Sequence, residues 1–117
     1  MATVAELGPF TGFPPGAFTF YRDLERPGNN DREWFDANRQ RYEHDVRLPL
    51  EALLALAAEE FGADGKVFRP HRDVRFSADK RPYKTHAGAV IGFGDGSDRP
   101  SCYVQVAADG LLAATGY

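Results

Sequence analysis

The chain has very little cysteine. Cys102 is the one cysteine among 117 residues, which excludes an intrachain disulfide and a zinc site built from cysteines. No histidine lies near it in the sequence to serve as a base, so a nucleophilic role is disfavoured. We expect Cys102 to be a small buried hydrophobic residue within a strand.

Long hydrophobic runs and targeting signals are also missing. No apolar run approaches the ~20 residues that a membrane span requires. The N-terminal residues MATVAELGPF contain neither the basic region nor the apolar core of a secretory signal. The sequence therefore predicts a cytoplasmic protein with no membrane partner.

Common catalytic and cofactor motifs are absent too. There is no G-x-S-x-G and no P-loop lysine motif, and the G-x-G of GFGDGSDRP lacks the glycine that the dinucleotide fingerprint requires three residues later. His44, His71 and His86 show no metal-ligand spacing. We predict no metal site and no cofactor, and we interpret GFGDGSDRP as a hairpin turn.

The first half of the chain predicts helices. After an extended arm over residues 1–14, held by Phe10 and Phe13, a short amphipathic helix begins at Gly16 and stops before Pro27. A second helix is predicted to start with Asn30 as its cap. Pro49 disfavours helical torsions at Leu48, so we expect a kink or a fresh helix start there. A third helix is predicted from apolar residues at helical spacing, and Gly62 is placed to end it. These residues are Leu50, Leu53, Leu54, Ala57, Ala58 and Phe61.

The second half predicts strands. Alternation predicts a half-buried strand over Arg72–Phe76 with Val74 and Phe76 facing inward. Further strands are predicted over 86–93, 101–108 and 111–115, the last two joined by a turn at Asp109-Gly110. Helices first and strands second indicate an α+β fold, with N-terminal helices packed on an antiparallel sheet. The last strand is apolar and would form an open edge, so we expect the sheet to be incomplete at its C-terminal side.

Positive charge is concentrated in one place, the basic segment of residues 66–86, KVFRPHRDVRFSADKRPYKTH. It holds seven of the fourteen Lys and Arg residues and two acids, giving +5 locally and −8 for the remainder of a chain whose net charge is −3. Such asymmetry is typical of a binding site for an anion.

Within the basic segment, structural and binding roles both remain open. Arg72 would share the core face with Val74 and would then need a carboxylate partner, for which Asp23, Asp73 and Asp79 are candidates. The loop of residues 77–84 combines cations, an acid and hydroxyls around the stiffening Pro82, a composition suited to phosphate or carboxylate. Phe68, Phe76 and Tyr83 lie between cations and make nucleic acid a second, weaker option.

Three stretches of the sequence resemble a known family. RPHRDVRFSADKRPYK, NNDREWFDANRQRYE and GFPPGAFTFYRDL are similar to motifs of the DUF2461 family of bacterial and fungal proteins. The family has no established activity, so the resemblance implies no reaction. It does imply a longer domain, and we expect residues 1–117 to be a single α+β domain forming the N-terminal part of the family domain.

Three hypotheses follow for the function. The first is binding of an anionic, phosphate-bearing small molecule in a cleft between Asn29-Asn30 and the basic loop. The second is an enzyme acting on phosphodiesters or nucleotides with an Asp as base. The third is a structural or interaction module, with self-association through the open sheet edge as a further partner option. The predicted ligand-binding residues are Asn29, Asn30, Arg69, Arg72, Asp73, Arg75, Asp79, Lys80, Tyr83 and Lys84.

Overall fold

The computed structural model describes residues 10–94 and 100–116. The helices come first: α1 (Pro15–Leu24), α2 (Arg32–Ala37), α3 (Arg39–Tyr42), a π-helical segment (Glu43–Arg47) and α4 (Leu48–Phe61). The strands follow: β1 (Asp64–Val67), β2 (His86–Gly92), β3 (Ser101–Ala107) and β4 (Gly110–Gly116). All neighbouring strands pair antiparallel in the order β1-β2-β3-β4, which confirms the predicted α+β fold.

Helix α1 begins and ends where the sequence indicated. Pro15 occupies its first position, where the missing N–H costs nothing, and the helix ends at Leu24 before Pro27. Phe20, Tyr21 and Leu24 are fully buried. Burial raises the pKa of the Tyr21 hydroxyl well above its ordinary value, so this phenol stays neutral in the core.

The second predicted helix differs from the expectation at its N-terminal cap. Its cap is Asp31, whose Oδ1 accepts the Trp34 N–H at 2.7 Å, so the prediction of Asn30 as cap is wrong because Asn30 is engaged elsewhere. Leu48 keeps helical torsions, φ −63° and ψ −42°, although the following proline disfavours them, and a new α-helix starts there as predicted. The π-helical segment explains these torsions: the Leu48 N–H bonds to the Glu43 carbonyl five residues back, and this wider turn accommodates the ring of Pro49.

Helix α4 packs one side against the sheet and ends at Gly62. Leu50 and Ala57 are buried, and Leu53 and Leu54 are partly buried. The predicted apolar stripe is not buried along its whole length, since its last residue, Phe61, is 71% exposed. Gly62 adopts the left-handed conformation, φ 63°, as predicted for a helix-ending glycine.

The sheet uses one face for the core. Ala87, Ala89 and Ile91 of β2 are buried together with Val106 of β3, and the helices cover this face. The predicted strands β2, β3 and β4 are confirmed, with the hairpin turn one residue earlier, at Ala108-Asp109. The predicted turn GDGSDRP falls mainly on residues 95–99, outside the described residues.

Within residues 10–94 and 100–116 no strand pairs with the far side of β4, so the sheet is open there as expected. Leu111 and Leu112 of β4 are 58% and 52% exposed. No helix within the described ranges is long and apolar enough to span a bilayer.

The predicted strand over Arg72–Phe76 is wrong. These residues form no ladder, and Phe76, expected inside, is 95% exposed. Asp73 explains the difference, because its Oδ1 accepts the Arg75 backbone N–H at 3.2 Å, a local bond that competes with strand pairing. A turn follows, in which the Ser77 N–H bonds to the Val74 carbonyl.

Candidate functional site

The basic segment is fastened to the helices at Tyr83. The Tyr83 ring stacks on Phe35 with centroids 4.0 Å apart and an interplanar angle of 9°, and Tyr83 is only 3% exposed. Asn30 holds the backbone of the same residue: its Nδ2 donates to the Tyr83 carbonyl at 2.9 Å and its Oδ1 accepts the Tyr83 N–H at 3.0 Å. Burial raises the pKa of Tyr83, so it is a neutral anchor.

Asp79 is shared by two arginines. Its Oδ2 lies 2.6 Å from Nη2 of Arg81 and 3.2 Å from Nη1 of Arg72. The Arg72 Nη1 also donates to the Arg81 carbonyl at 2.9 Å, which orients that guanidinium. The hydrogen bonds from Arg81, and then the charge of Arg72, hold the pKa of Asp79 far below its ordinary value. Arg72 therefore has the carboxylate partner that the sequence predicted.

The exposed end of the basic segment is internally paired. Arg75 forms a two-pronged salt bridge with Asp73, with N to O distances of 3.1 and 3.0 Å. The side-chain hydrogen bond from Arg75 lowers the pKa of Asp73. Lys80 donates from Nζ to the Val74 carbonyl at 2.7 Å. These contacts stiffen the turn around Phe76.

A pocket of about 250 Å³, called here the basic pocket, opens beside this segment. Its lining consists of Arg72, Asp79, Arg81, Tyr83, Lys84, Thr85 and His86. Lys84 reaches over the Phe68 ring, 5.8 Å from the centroid, and within the described residues no carboxylate pairs with it. Burial first, and the charge of Lys84 second, lower the pKa of His86 below its ordinary value. Three cations around the pocket therefore share one acid.

The cleft beside Asn29 and Asn30 has a different character. A cavity of about 260 Å³ lies there, and Glu25 and Asp31 face Arg26 and Arg81 across it. The Asp31 carboxylate already accepts the Trp34 N–H in the first turn of α2. Opposite charges balance in this cleft, so it suits an anion less well than the basic pocket does.

The structure brings together four of the ten predicted ligand-binding residues: Arg72, Asp79, Tyr83 and Lys84 line the basic pocket. Asn29 and Asn30 bond within the protein: Asn29 Nδ2 donates to the Asp23 carbonyl at 2.9 Å, and Asn30 bonds to the Tyr83 backbone. The remaining four lie outside the pocket lining: Arg69, Asp73, Arg75 and Lys80.

Sequence reasoning omitted three residues of the pocket, Arg81, Thr85 and His86. The charge density of the loop was the available signal for Arg81. Thr85 and His86 directly follow Lys84 at the end of the basic segment, but neither is a cation of the kind that marked the loop.

Other groups of interest lie elsewhere. A cavity of about 450 Å³ between residues 10–14 and the π-helical segment includes His44 and Asp45 but none of the predicted site residues. Among the residues that the structure describes, no three His, Cys, Asp or Glu side chains are grouped to hold a metal ion. Cys102 is partly exposed in β3.

Comparison with known proteins places the chain in one family. A family model described as "Conserved hypothetical protein (DUF2461)" matches residues 16–117. No curated protein and no solved structure matches the chain.

Proposed function

The chain belongs to the DUF2461 family of conserved hypothetical proteins, and we propose that this member binds a phosphate-bearing anion in the basic pocket. The predicted family is thereby confirmed, and its description assigns no activity. The proposal therefore rests on the site, and above all on one observation: Arg72, Arg81 and Lys84 surround a cavity that contains the single acid Asp79.

Charge favours an anion at this position. Asp79 balances one of the two arginines that it contacts, and Lys84 adds a further positive charge beside it. The rest of the chain carries an excess of acids. A phosphate is therefore attracted to the basic pocket and repelled by most of the remaining surface.

The cations are also held in place before a ligand arrives. Arg72 is fixed by the Arg81 carbonyl and by Asp79, and Tyr83 fastens the backbone between Arg81 and Lys84 to the helices. A guanidinium that is already oriented loses less conformational entropy when it binds phosphate. Charge-assisted hydrogen bonds from such groups are among the strongest that proteins make.

The geometry favours binding over the enzyme hypothesis. Asp73 and Asp79 were the expected bases, but hydrogen bonds from Arg75 and Arg81 lower the pKa of each carboxyl. A carboxylate with a depressed pKa is a poor proton acceptor at neutral pH. The structural hypothesis explains Arg75 and Lys80, whereas it leaves the charge of Lys84 without a carboxylate partner in the described part of the chain.

The test is thermal unfolding and calorimetry with inorganic pyrophosphate, comparing wild type with Lys84→Gln and Arg81→Gln. A ligand at ten times its Kd stabilises by about 1.4 kcal/mol, which raises the Tm of a domain of this size by roughly 5 °C. We expect Lys84→Gln and Arg81→Gln each to weaken pyrophosphate binding by roughly tenfold.

Arg75→Gln is the matched control, because it removes the same charge from an exposed pair outside the pocket. Its affinity for pyrophosphate should stay within about twofold of wild type, since screened surface charges contribute little. No stabilisation of wild type by pyrophosphate, or an equal loss in Arg75→Gln and Lys84→Gln, would contradict a site at the basic pocket.

A further inference from the structure

The sheet has a second face, and the strand register shows which residues lie on it. Directly paired residues of neighbouring strands point to the same side of a sheet. One such row crosses from β1 to β4 as Lys66, Val90, Tyr103 and Ala114. The next row contains Phe68, Gly88, Gln105 and Leu112. The buried clusters beneath the helices draw their strand residues from the alternate positions, so these two rows form the opposite side, called here the open face.

Two aromatic rings on the open face are held in place. Phe68 is partly exposed and has two ammonium groups near its ring, with Nζ of Lys66 and Nζ of Lys84 at 5.7 and 5.8 Å from its centroid. The phenol end of Tyr103 lies across Gly88, where a Cβ atom would come within 2.7 Å of the hydroxyl oxygen. That hydroxyl donates to Oε1 of Gln105 at 2.9 Å.

Positive charge accompanies these rings. Lys66 lies on a strand position of the open face, and Lys84 links this face to the basic pocket, which it also lines. Among the described strand positions of this face the one acid is Asp64, at the end of β1 remote from Phe68. Lys66 and Lys84 thus extend the positive charge of the basic pocket onto the part of the open face around Phe68, on a chain that carries an excess of acids elsewhere.

We propose that the open face binds single-stranded nucleic acid, with bases stacked on Phe68 and Tyr103 and backbone phosphates held by Lys66, Lys84 and the basic pocket. The backbones that carry the two rings are two strands apart, roughly 10 Å, and the phenol of Tyr103 leans across the intervening Gly88. A four-stranded sheet with aromatic side chains among cations is a surface on which unpaired bases stack. The phosphate contacts in the pocket rest on the function proposed above.

The surface favours a single strand over the alternatives. A free nucleotide binds best in a cavity that encloses most of it, whereas the open face is a flat surface that gains affinity by contacting several units of a polymer. A duplex keeps its bases stacked inside, out of reach of Phe68 and Tyr103. Tyr83, a stacking residue suggested by the sequence, is not accessible because it is buried against Phe35.

The test is fluorescence anisotropy with fluorescein-labelled ten-residue oligo-dT and oligo-U, titrated with the wild-type chain at two salt concentrations. We expect binding that weakens as salt rises, because phosphate contacts release counterions. Phe68→Leu and Tyr103→Leu should each weaken oligonucleotide binding by roughly tenfold, the effect of losing one stacked base. Phe61→Leu is the matched control, an exposed phenylalanine on α4, and should stay within about twofold.

Pyrophosphate stabilisation, measured on the same variants, separates the two proposals. It should persist in Phe68→Leu and Tyr103→Leu, because neither residue lines the basic pocket. Pyrophosphate binding without oligonucleotide binding would overturn nucleic-acid recognition alone, and failure of both ligands would overturn both proposals. Equal oligonucleotide affinity in wild type and both open-face variants, or equal competition by a duplex of the same length, would also overturn the stacking mode.

Discussion

Asn30 and Tyr83, 53 residues apart, are joined by two hydrogen bonds. The amide of Asn30 donates to the Tyr83 carbonyl and accepts from the Tyr83 N–H, at 2.9 and 3.0 Å. The Asn30 side chain thus bonds to both the N–H and the carbonyl of Tyr83, as the backbone of a neighbouring strand would, and neither group of this buried residue is left unsatisfied. This connection fixes the distance between the helices and the cationic loop that forms the basic pocket.

Replacing Asn30 by alanine should destabilise the protein by about 2 kcal/mol, since two backbone groups at a buried residue lose their partners. Urea denaturation measures the free energy of unfolding, and amide exchange at Tyr83 reports the local effect. Asn29→Ala is the control, because it removes one hydrogen bond, to Asp23, and should cost about 1 kcal/mol. Equal costs for the two variants, with unchanged exchange at Tyr83, would show that the connection is unimportant.

The contrast between Phe35 and Phe76 gives a second prediction. Phe35 is 1% exposed and stacks on Tyr83, whereas Phe76 is 95% exposed. Phe35→Leu should therefore cost about 1–2 kcal/mol through the lost aromatic contacts and imperfect repacking. Phe76→Leu makes the same change on the surface and should stay within about 0.5 kcal/mol of wild type. Chemical denaturation measures the free energy of unfolding of both variants. An equal loss of stability in Phe76→Leu and Phe35→Leu would instead support the buried strand that the sequence pattern predicted.

The fold was predictable wherever a local pattern decides it. Gly62 follows a helical stripe and takes the left-handed conformation that ends α4. The alternation in β3 survives as Val104 and Val106 facing the helices. These features depend on residues a few positions apart, and period and torsion preference determine them.

The errors arose where a side chain finds a partner that the sequence pattern does not show. Asn30 stands where a helix cap is expected, yet its partner Tyr83 is 53 residues away. Asp73 lies inside an alternating pattern that predicts a strand, yet its carboxylate accepts the backbone N–H of Arg75, and this local bond competes with strand pairing. The basic pocket was predictable as a charged segment, but the sequence did not show which of its cations line one cavity: Arg72 joins Arg81 and Lys84 there, whereas Arg69, Arg75 and Lys80 do not.

His86 should titrate below its ordinary pKa of 6.5, because it is partly buried and lies near Lys84. NMR titration of its ring proton measures this, and Lys84→Gln should move the pKa back upward. Bound pyrophosphate should also raise it, since an adjacent anion favours the imidazolium. A midpoint at or above 6.5 in the free protein would contradict the predicted environment.

The pH dependence of the free energy of unfolding should also reflect His86. Because the folded-state pKa of His86 lies below the unfolded-state value, the unfolded chain binds more protons between the two values. The contribution of His86 to stability is therefore retained above pH 6.5 and is lost as the pH falls through 6.5 towards the folded-state pKa. In His86→Gln this part of the acid destabilisation should disappear, which thermal unfolding from pH 7.5 to 5 will measure; an unchanged slope would argue against it.

Gly16 and Asp45 give the last prediction. The Asp45 carboxylate, on the π-helical segment, occupies the space in which a Cβ atom on Gly16 would lie. Gly16→Ala should therefore destabilise the wild-type chain by about 1 kcal/mol, because the carboxylate must move. In an Asp45→Ala background the overlap is gone, and the same substitution should be neutral or stabilise by up to about 0.5 kcal/mol, since alanine favours a helix over glycine. A double-mutant cycle by urea denaturation measures the coupling. Additive effects would mean that Asp45 does not occupy that space in solution.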